Sequence, residues 1–197
     1  MKKKLALFDF DGTITRSDTM FAFIAFTKGK TSLLWSLLVL SPHLIGAKLS
    51  WSRAENAKKK LLSYHFKGVR RAQMELWAEK FYKHRLVMLF DDTALEKLNF
   101  HRSKGHEVYV VTASLDLWLD PWMKQQGLNC LCTRTKWVDD AFSGEFDTPN
   151  CQGPEKVRRI EEVLKKADYE KIYAYGDSKG DREMLAWADV AYYRRFV

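Results

Sequence analysis

The chain has 197 residues, 46% of them hydrophobic, and a formal net charge of +8. That length supports one domain with its own core, or one core with an insertion, and makes a disulfide framework unnecessary. The three cysteines, Cys130, Cys132 and Cys151, are an odd set without zinc-like or CxxC spacing, which excludes a cystine scaffold and a zinc module and reads as reduced thiols in a cytosolic protein.

At the start, Lys2 to Lys4 precede an apolar run that meets Asp9 directly after Phe8, too short for an export signal. Lys4 to Phe10 (KLALFDF) reads as a buried parallel strand that ends in acidic residues and Gly12. From about Asp18 to Phe90 the character is helical, with Val69, Ala72 and Leu76 at helical spacing and Pro42, Gly46 and Gly68 as punctuation. The longest apolar stretch, Leu33 to Gly46, is interrupted by Pro42 and falls short of the ~20 residues of a spanning helix. Between Trp51 and Arg85 there are ten basic residues against three acidic ones, Glu55, Glu75 and Glu79. Two readings stand for this segment: a solvated helical face, or attraction to an anionic partner such as phosphate, an acidic membrane or nucleic acid.

Leu95 to Lys104 is expected to be a helix closed by Gly105, and His106 to Thr112 (HEVYVVT) a strand. Leu115 to Gln126 reads as a helix broken or turned early at Pro121. Asn129 to Asp147 reads as a third core strand leading into a small β excursion, with turns at Asp139-Asp140 and Ser143-Gly144. Gly153-Pro154 opens a helix to about Lys166, proline suiting the first helical turn. Lys171 to Tyr175 is a strand, Asp181 to Ala188 a helix and Val190 to Tyr193 a last strand. Strands alternating with helices specify an α/β, doubly wound, Rossmann-like parallel sheet, whose ligands bind at the carboxyl ends of the strands.

Four polar clusters carry candidate chemistry, and three of them fall at such ends. Asp9-Phe10-Asp11-Gly12-Thr13 places two carboxylates two residues apart, a repulsive arrangement that a bound cation would relieve. Thr112-Ala113-Ser114 offers hydroxyls and backbone N–H groups for an oxyanion, or a helix cap. Lys156 stands in the first turn of its helix, where the dipole disfavours a cation unless an anion is shared there. Gly176-Asp177-Ser178-Lys179-Gly180-Asp181 adds two carboxylates four apart, with Asp181 also readable as a helix N-cap.

In order, DxDGT, a strand-terminal Thr, a Lys and GDxxxD resemble the haloacid dehalogenase-like hydrolase superfamily over essentially the whole chain. A helical insertion directly after the first motif resembles its phosphoserine-phosphatase-like branch, subfamily IB. The resemblance implies a core of residues 1–16 and 91–197, a helical cap of residues 17–90, and a Mg²⁺-dependent phosphomonoesterase working through an aspartyl phosphate. Asp9 then matches the nucleophile, Asp11 the general acid and base, and Thr112, Ala113 and Lys156 the phosphate-binding groups. Asp9, the Asp11 backbone carbonyl and Asp177 match the Mg²⁺ ligands, with Asp181 supporting them. Oxygen ligands suit Mg²⁺, and an acid at Asp11 favours phosphate over halide, since a departing halide needs no proton.

Asp18 stands where phosphoserine phosphatases carry a substrate-recognising glutamate; it reads either as a specificity residue or as a helix cap. The apolar Leu33 to Leu49 stretch, with Trp35 and Trp51 near its ends and lysines nearby, has the layout of an interfacial segment and resembles the bacterial phosphatidylglycerophosphate phosphatases of this superfamily. GPEKV and GDSKGD resemble theirs as well. The partner expected is therefore a lipid phosphate head group at an anionic membrane, on the inner face of which the cytoplasmic protein would sit. The alternatives are a small soluble phosphorylated metabolite, such as phosphoserine or a sugar phosphate, with the apolar residues forming the cap's own core, and a non-catalytic binder of phosphate or nucleic acid. No groove-docking or stacking module is recognisable, so nucleic acid is not an expected partner, and the sequence specifies no oligomeric state.

Overall fold

The computed structural model describes residues 3–41 and 50–194; the Pro42 to Leu49 part of the apolar stretch lies outside them. In chain order the elements are β1 (Lys3–Phe8), α1 (Thr19–Lys28), α2 (Lys30–Val39), α3 (Trp51–Phe66), α4 (Arg71–His84), α5 (Asp92–Ser103), β2 (Glu107–Leu115) and α6 (Asp116–Gln126). Then follow β3 (Asn129–Thr133), β4 (Thr135–Val138), β5 (Ala141–Phe146), α7 (Pro154–Val163), β6 (Tyr169–Gly176), α8 (Arg182–Trp187) and β7 (Val190–Tyr193).

The sheet has the order β3-β2-β1-β6-β7 with every pairing parallel. Its central strand shows why KLALFDF is apolar without alternation. Ala6 and Phe8 enter one core with Leu98 of α5 and Trp118 and Trp122 of α6, while Leu5 and Leu7 enter another with Ile160 of α7 and Met184 of α8. A strand covered on both faces has no polar side to present. The register Phe8↔Val110 and Phe8↔Tyr175 sets the next residue, Asp9, beside the ends of β2 and β6. The functional motifs on three strands are thereby brought to one edge.

Helices α1 to α4 form an excursion after β1. The chain leaves and returns through a paired crossing, with Arg16 N–H donating to the Leu89 carbonyl at 2.7 Å and Asp91 N–H to the Ile14 carbonyl at 2.9 Å. Phe23 of α1 is fully buried and its ring lies 5.5 Å from Phe66, 5.3 Å from Phe81 and 5.4 Å from Trp118. One side chain of the excursion thus joins α3, α4 and the helix following β2.

The β excursion is a hairpin of β4 and β5 whose two linking residues, Asp139 and Asp140, have φ of 47° and 58°. Two positive φ values match the twist of the flanking strands, and Asp tolerates them. Three details differ from expectation. Helix α6 runs unbroken through Pro121, because its buried face of Trp118, Leu119, Trp122 and Met123 holds the remaining turns against the core. Helix α7 stops at Val163, and a 3-10 turn at Lys166–Asp168 leads into β6. Strand β2 continues past Thr112 to Leu115 across a register shift, so Thr112-Ala113-Ser114 lies within an irregular strand end rather than at a simple strand-to-helix junction.

Phe23→Ala should lower stability by about 3–5 kcal/mol, the range for emptying a buried phenyl site. Equilibrium urea unfolding would read this as a lower midpoint at unchanged slope.

Candidate active site

All eight residues singled out in the sequence, Asp9, Asp11, Asp18, Thr112, Ala113, Lys156, Asp177 and Asp181, line one cavity of about 380 Å³. That volume suits a small ligand or head group. The remaining wall includes Lys58, Ser114, Asn150 and Gln152.

Asp9 follows β1, its N–H donating to the Tyr175 carbonyl at 2.9 Å. Lys156, fully enclosed, donates from Nζ to Asp9 Oδ1 at 2.5 Å, to Asp181 Oδ1 at 2.6 Å and to the Val111 carbonyl at 2.7 Å. All three ammonium protons are therefore used. Burial alone would lower this ammonium, but Asp9 and Asp181 outweigh it and hold it above the ordinary lysine range. Burial pushes Asp9 up to about 8, with Lys156 pulling it back and Asp181 and Asp11 pushing further. Asp9 Oδ2 has no hydrogen-bond donor among the described residues.

Asp181 does not cap α8 with its side chain. Its Oδ2 accepts from Asp177 N–H at 3.2 Å, Ser178 N–H at 2.9 Å and Ser178 Oγ at 2.7 Å. Ser178 and Asp181 close a capping box on the turn after β6. Asp177 is held more loosely, its Oδ1 accepting from Thr13 Oγ1 at 3.5 Å, and burial together with Asp181 raises its carboxyl. Gly12 makes room for it: φ is +77°, and a Cβ there would lie 2.5 Å from Asp177 Oδ2.

Ligand oxygens of Asp9, Asp177 and Asp181 lie within 4.8 Å of one another. Lys156 is the one cation in an ion pair with these carboxylates among the described residues, with Arg194 on the Asp177 backbone carbonyl, so the three groups when ionised carry an excess of negative charge. Hard oxygen donors with uncompensated charge fit a divalent cation such as Mg²⁺. Since both oxygens of Asp181 are already engaged, Asp9 and Asp177 have the free ligand positions.

Asp18 caps α1, its Oδ1 accepting from Met20 N–H at 2.9 Å and Phe21 N–H at 3.2 Å, while still lining the cavity. Burial and the nearby Asp11 raise it to about 6. In the β2 end, Thr112 Oγ1 accepts from Ser114 N–H at 3.0 Å, which removes one of the backbone donors expected to be free there.

Lys58 was not legible as a site residue. Its Nζ donates to the Ala113 carbonyl at 2.5 Å and to Asn150 Oδ1 at 3.2 Å, bringing a cation from α3 against the irregular end of β2. In the sequence it is one of a run of lysines; the available signal was its place on the stripe shared with Ala54, Leu61 and His65 (i, i+3/i+4), where Leu61 and His65 are buried.

Lys156→Met would strand Asp9 and Asp181 as buried carboxylates without their cation. A loss of about 3–5 kcal/mol is expected, read by chemical unfolding, and a smaller loss once Mg²⁺ is added.

Residues 6–186 match the haloacid dehalogenase-like hydrolase family. Protein CicA of Caulobacter vibrioides (strain NA1000 / CB15N) is 37% identical over 196 residues, covering 98% of this chain and 86% of the relative. Among solved structures, a protein with unknown function from Bordetella pertussis Tohama I superposes with a TM-score of 0.80 at 21% identity, over 97% of this chain and 89% of that one. A phosphoserine phosphatase in the form of a phospho-aspartyl intermediate analogue gives 0.70 at 20% identity, over 97% and 86%. The family match spans nearly the whole chain: the chain belongs to the haloacid dehalogenase-like hydrolases.

Proposed function

We propose that the protein is a Mg²⁺-dependent phosphomonoesterase that passes the phosphoryl group through Asp9. The observation that carries this reading is Asp9 itself, a buried carboxylate with one oxygen bonded to Lys156 and the other without a donor, in a cavity with Asp11, Thr112 and Asp177. The shared fold with a phosphoserine phosphatase in a phospho-aspartyl form supports it.

In this mechanism a phosphomonoester enters with its phosphoryl oxygens toward Thr112, the Ala113 N–H and Lys156. An Asp9 oxygen attacks phosphorus; the new P–O bond forms as the bond to the leaving oxygen breaks, and Asp11 gives that oxygen its proton. Asp11 then takes a proton from water, the water oxygen attacks phosphorus, and the bond to Asp9 breaks to release inorganic phosphate. Mg²⁺, held by Asp9, Asp177 and the Asp11 backbone carbonyl, would neutralise charge where two anions must meet.

The helical insertion, residues 17–90, acts as the cap over this chemistry. Met20, Asp18, Ala54 and Lys58 line the cavity from it, and the paired crossing at Thr15 and Phe90 gives it a narrow attachment.

A lipid phosphate head group at the cytoplasmic face of an anionic membrane is the substrate reading favoured by α2. Leu34, Trp35, Leu38 and Val39 are 66%, 60%, 65% and 49% exposed and share one side of the helix. Lys30 at its start and Arg53 and Lys60 on α3 are exposed as well. An apolar stripe beside lysines suits an anionic interface. Trp51 lies over the start of α7, where a Cβ on Gly153 would lie 3.0 Å from its ring. No helix among the described residues is long and apolar enough to cross a membrane. A small soluble phosphate ester is the second reading, and Asp18 beside Lys58 in the cavity favours it as a site for an amine and an anion.

Hydrolysis of 4-nitrophenyl phosphate should require Mg²⁺ and fall at least about 10³-fold in Asp9→Asn; turnover that survives the substitution or chelation would refute the mechanism. Flotation with phosphatidylglycerol vesicles should recover the wild type and lose most of a Trp35→Ser/Leu38→Ser variant. Equal recovery of both, or none of either, would favour the soluble substrate.

A further inference from the structure

We infer that Thr19, the first residue of α1, is a positioning residue that sets the Asp11 carboxyl for proton transfer to the leaving group, an inference that rests on the phosphatase reading above. Thr19 is fully buried. It donates to Asp11 Oδ1 twice, from its N–H at 2.7 Å and from its Oγ1 at 2.6 Å. The other carboxyl oxygen, Oδ2, accepts from Ser114 Oγ at the end of β2. The two oxygens of Asp11 are thus held from two separate elements, one on the insertion and one on the sheet.

Trp118 of α6 fixes the direction of this network. Its Nε1 lies 3.0 Å from Thr19 Oγ1, and an indole N–H can only donate. Thr19 Oγ1 must therefore accept from Trp118, and its own proton is free for Asp11. The order is Trp118 to Thr19 to Asp11. Ser114 Oγ lies 3.2 Å from Thr19 Oγ1, and with both hydroxyl protons directed at Asp11 the two oxygens flank the carboxyl without bonding to each other.

A proton donor contributes only when it is aimed at the atom it protonates. Thr19 places that aim under the control of the insertion. When α1 is seated, Asp11 is held by three donors; without the Thr19 hydroxyl the carboxyl keeps the N–H bond and Ser114 but loses one of the three bonds that restrain its rotation. The effect must then scale with how much the leaving oxygen needs a proton. A general structural defect would not scale in that way.

The test compares wild type, Thr19→Val, Thr19→Ser and Trp118→Phe with Mg²⁺ on 2,4-dinitrophenyl, 4-nitrophenyl, phenyl and benzyl phosphate. The readout is kcat/KM, which reports only steps up to leaving-group departure. Thr19→Val should lower kcat/KM for benzyl phosphate about 10–100-fold, part of the effect of a general acid, and change it less than about threefold for 2,4-dinitrophenyl phosphate. Thr19→Ser should restore the wild-type profile, and Trp118→Phe should fall between. A uniform loss across the series, or no loss on benzyl phosphate, would overturn the inference. Asp9→Asn runs alongside: if it keeps wild-type turnover, the phosphatase reading falls and this inference with it, whereas an inactive Asp9→Asn with a flat Thr19→Val series overturns the positioning role alone.

Discussion

Burying carboxylates side by side is unfavourable by several kcal/mol per ion unless a cation is buried with them in good geometry. At the carboxyl edge of this sheet that cation is Lys156. Its three protons reach β1 through Asp9, the β2 backbone through Val111 and the turn after β6 through Asp181. Three strands and the first turn of α7 therefore share one charge, and the spacing of the functional groups follows from the reach of a single ammonium. The helix dipole, which disfavours a cation in that turn, is outweighed by two carboxylates within hydrogen-bond distance. Two of the site's groups lack an ionic partner at their carboxyl oxygens, Asp177 and the second oxygen of Asp9, and these are the positions at which the proposed mechanism sets the divalent cation and the phosphoryl group.

A second level of organisation joins the insertion to this edge. Phe23 packs against Trp118, and the same Trp118 donates to Thr19. Apolar burial and polar orientation thus act through one side chain, the ring fixing α1 and the indole N–H fixing the hydroxyl beside Asp11. Lys58 adds a third attachment from α3, at the carbonyl of Ala113. Stability of the insertion and geometry of the site are for this reason coupled, since displacement of α1 or α3 would release groups that contact Asp11 or the end of β2.

The strand ends were readable because their chemistry is local. Asp9 and Asp11, Thr112, Lys156 and Asp177 each follow a recognisable strand or open a helix, and a parallel sheet has one carboxyl edge to collect them. Thr19, Ser114 and Trp118 meet Asp11 across wide gaps in sequence, and no periodicity announces which hydroxyl will face which carboxylate. Lys58 was hidden in a run of lysines whose other members pair with glutamates or face solvent. Pro121 misled in the opposite sense: its local effect on the ladder was outweighed by the buried face of α6, a tertiary term invisible to a residue-by-residue reading. Asp18 kept both of its readings, since a side chain can cap a helix with one oxygen and still border a cavity.

The paired crossing at Thr15 and Phe90 has an evolutionary consequence. Chain entry and exit lie side by side, so the excursion is a closed loop hung on a short stem, and the entropy of closing such a loop grows only slowly with its length. The β1 to β2 connection through α5 would persist with a shorter or longer excursion in its place. Lineages could therefore exchange what surrounds the mouth of the cavity while leaving the sheet untouched, provided that the contacts of Thr19 with Asp11 and of Lys58 with Ala113 are kept, and the range of molecules admitted could diversify faster than the reaction performed on them.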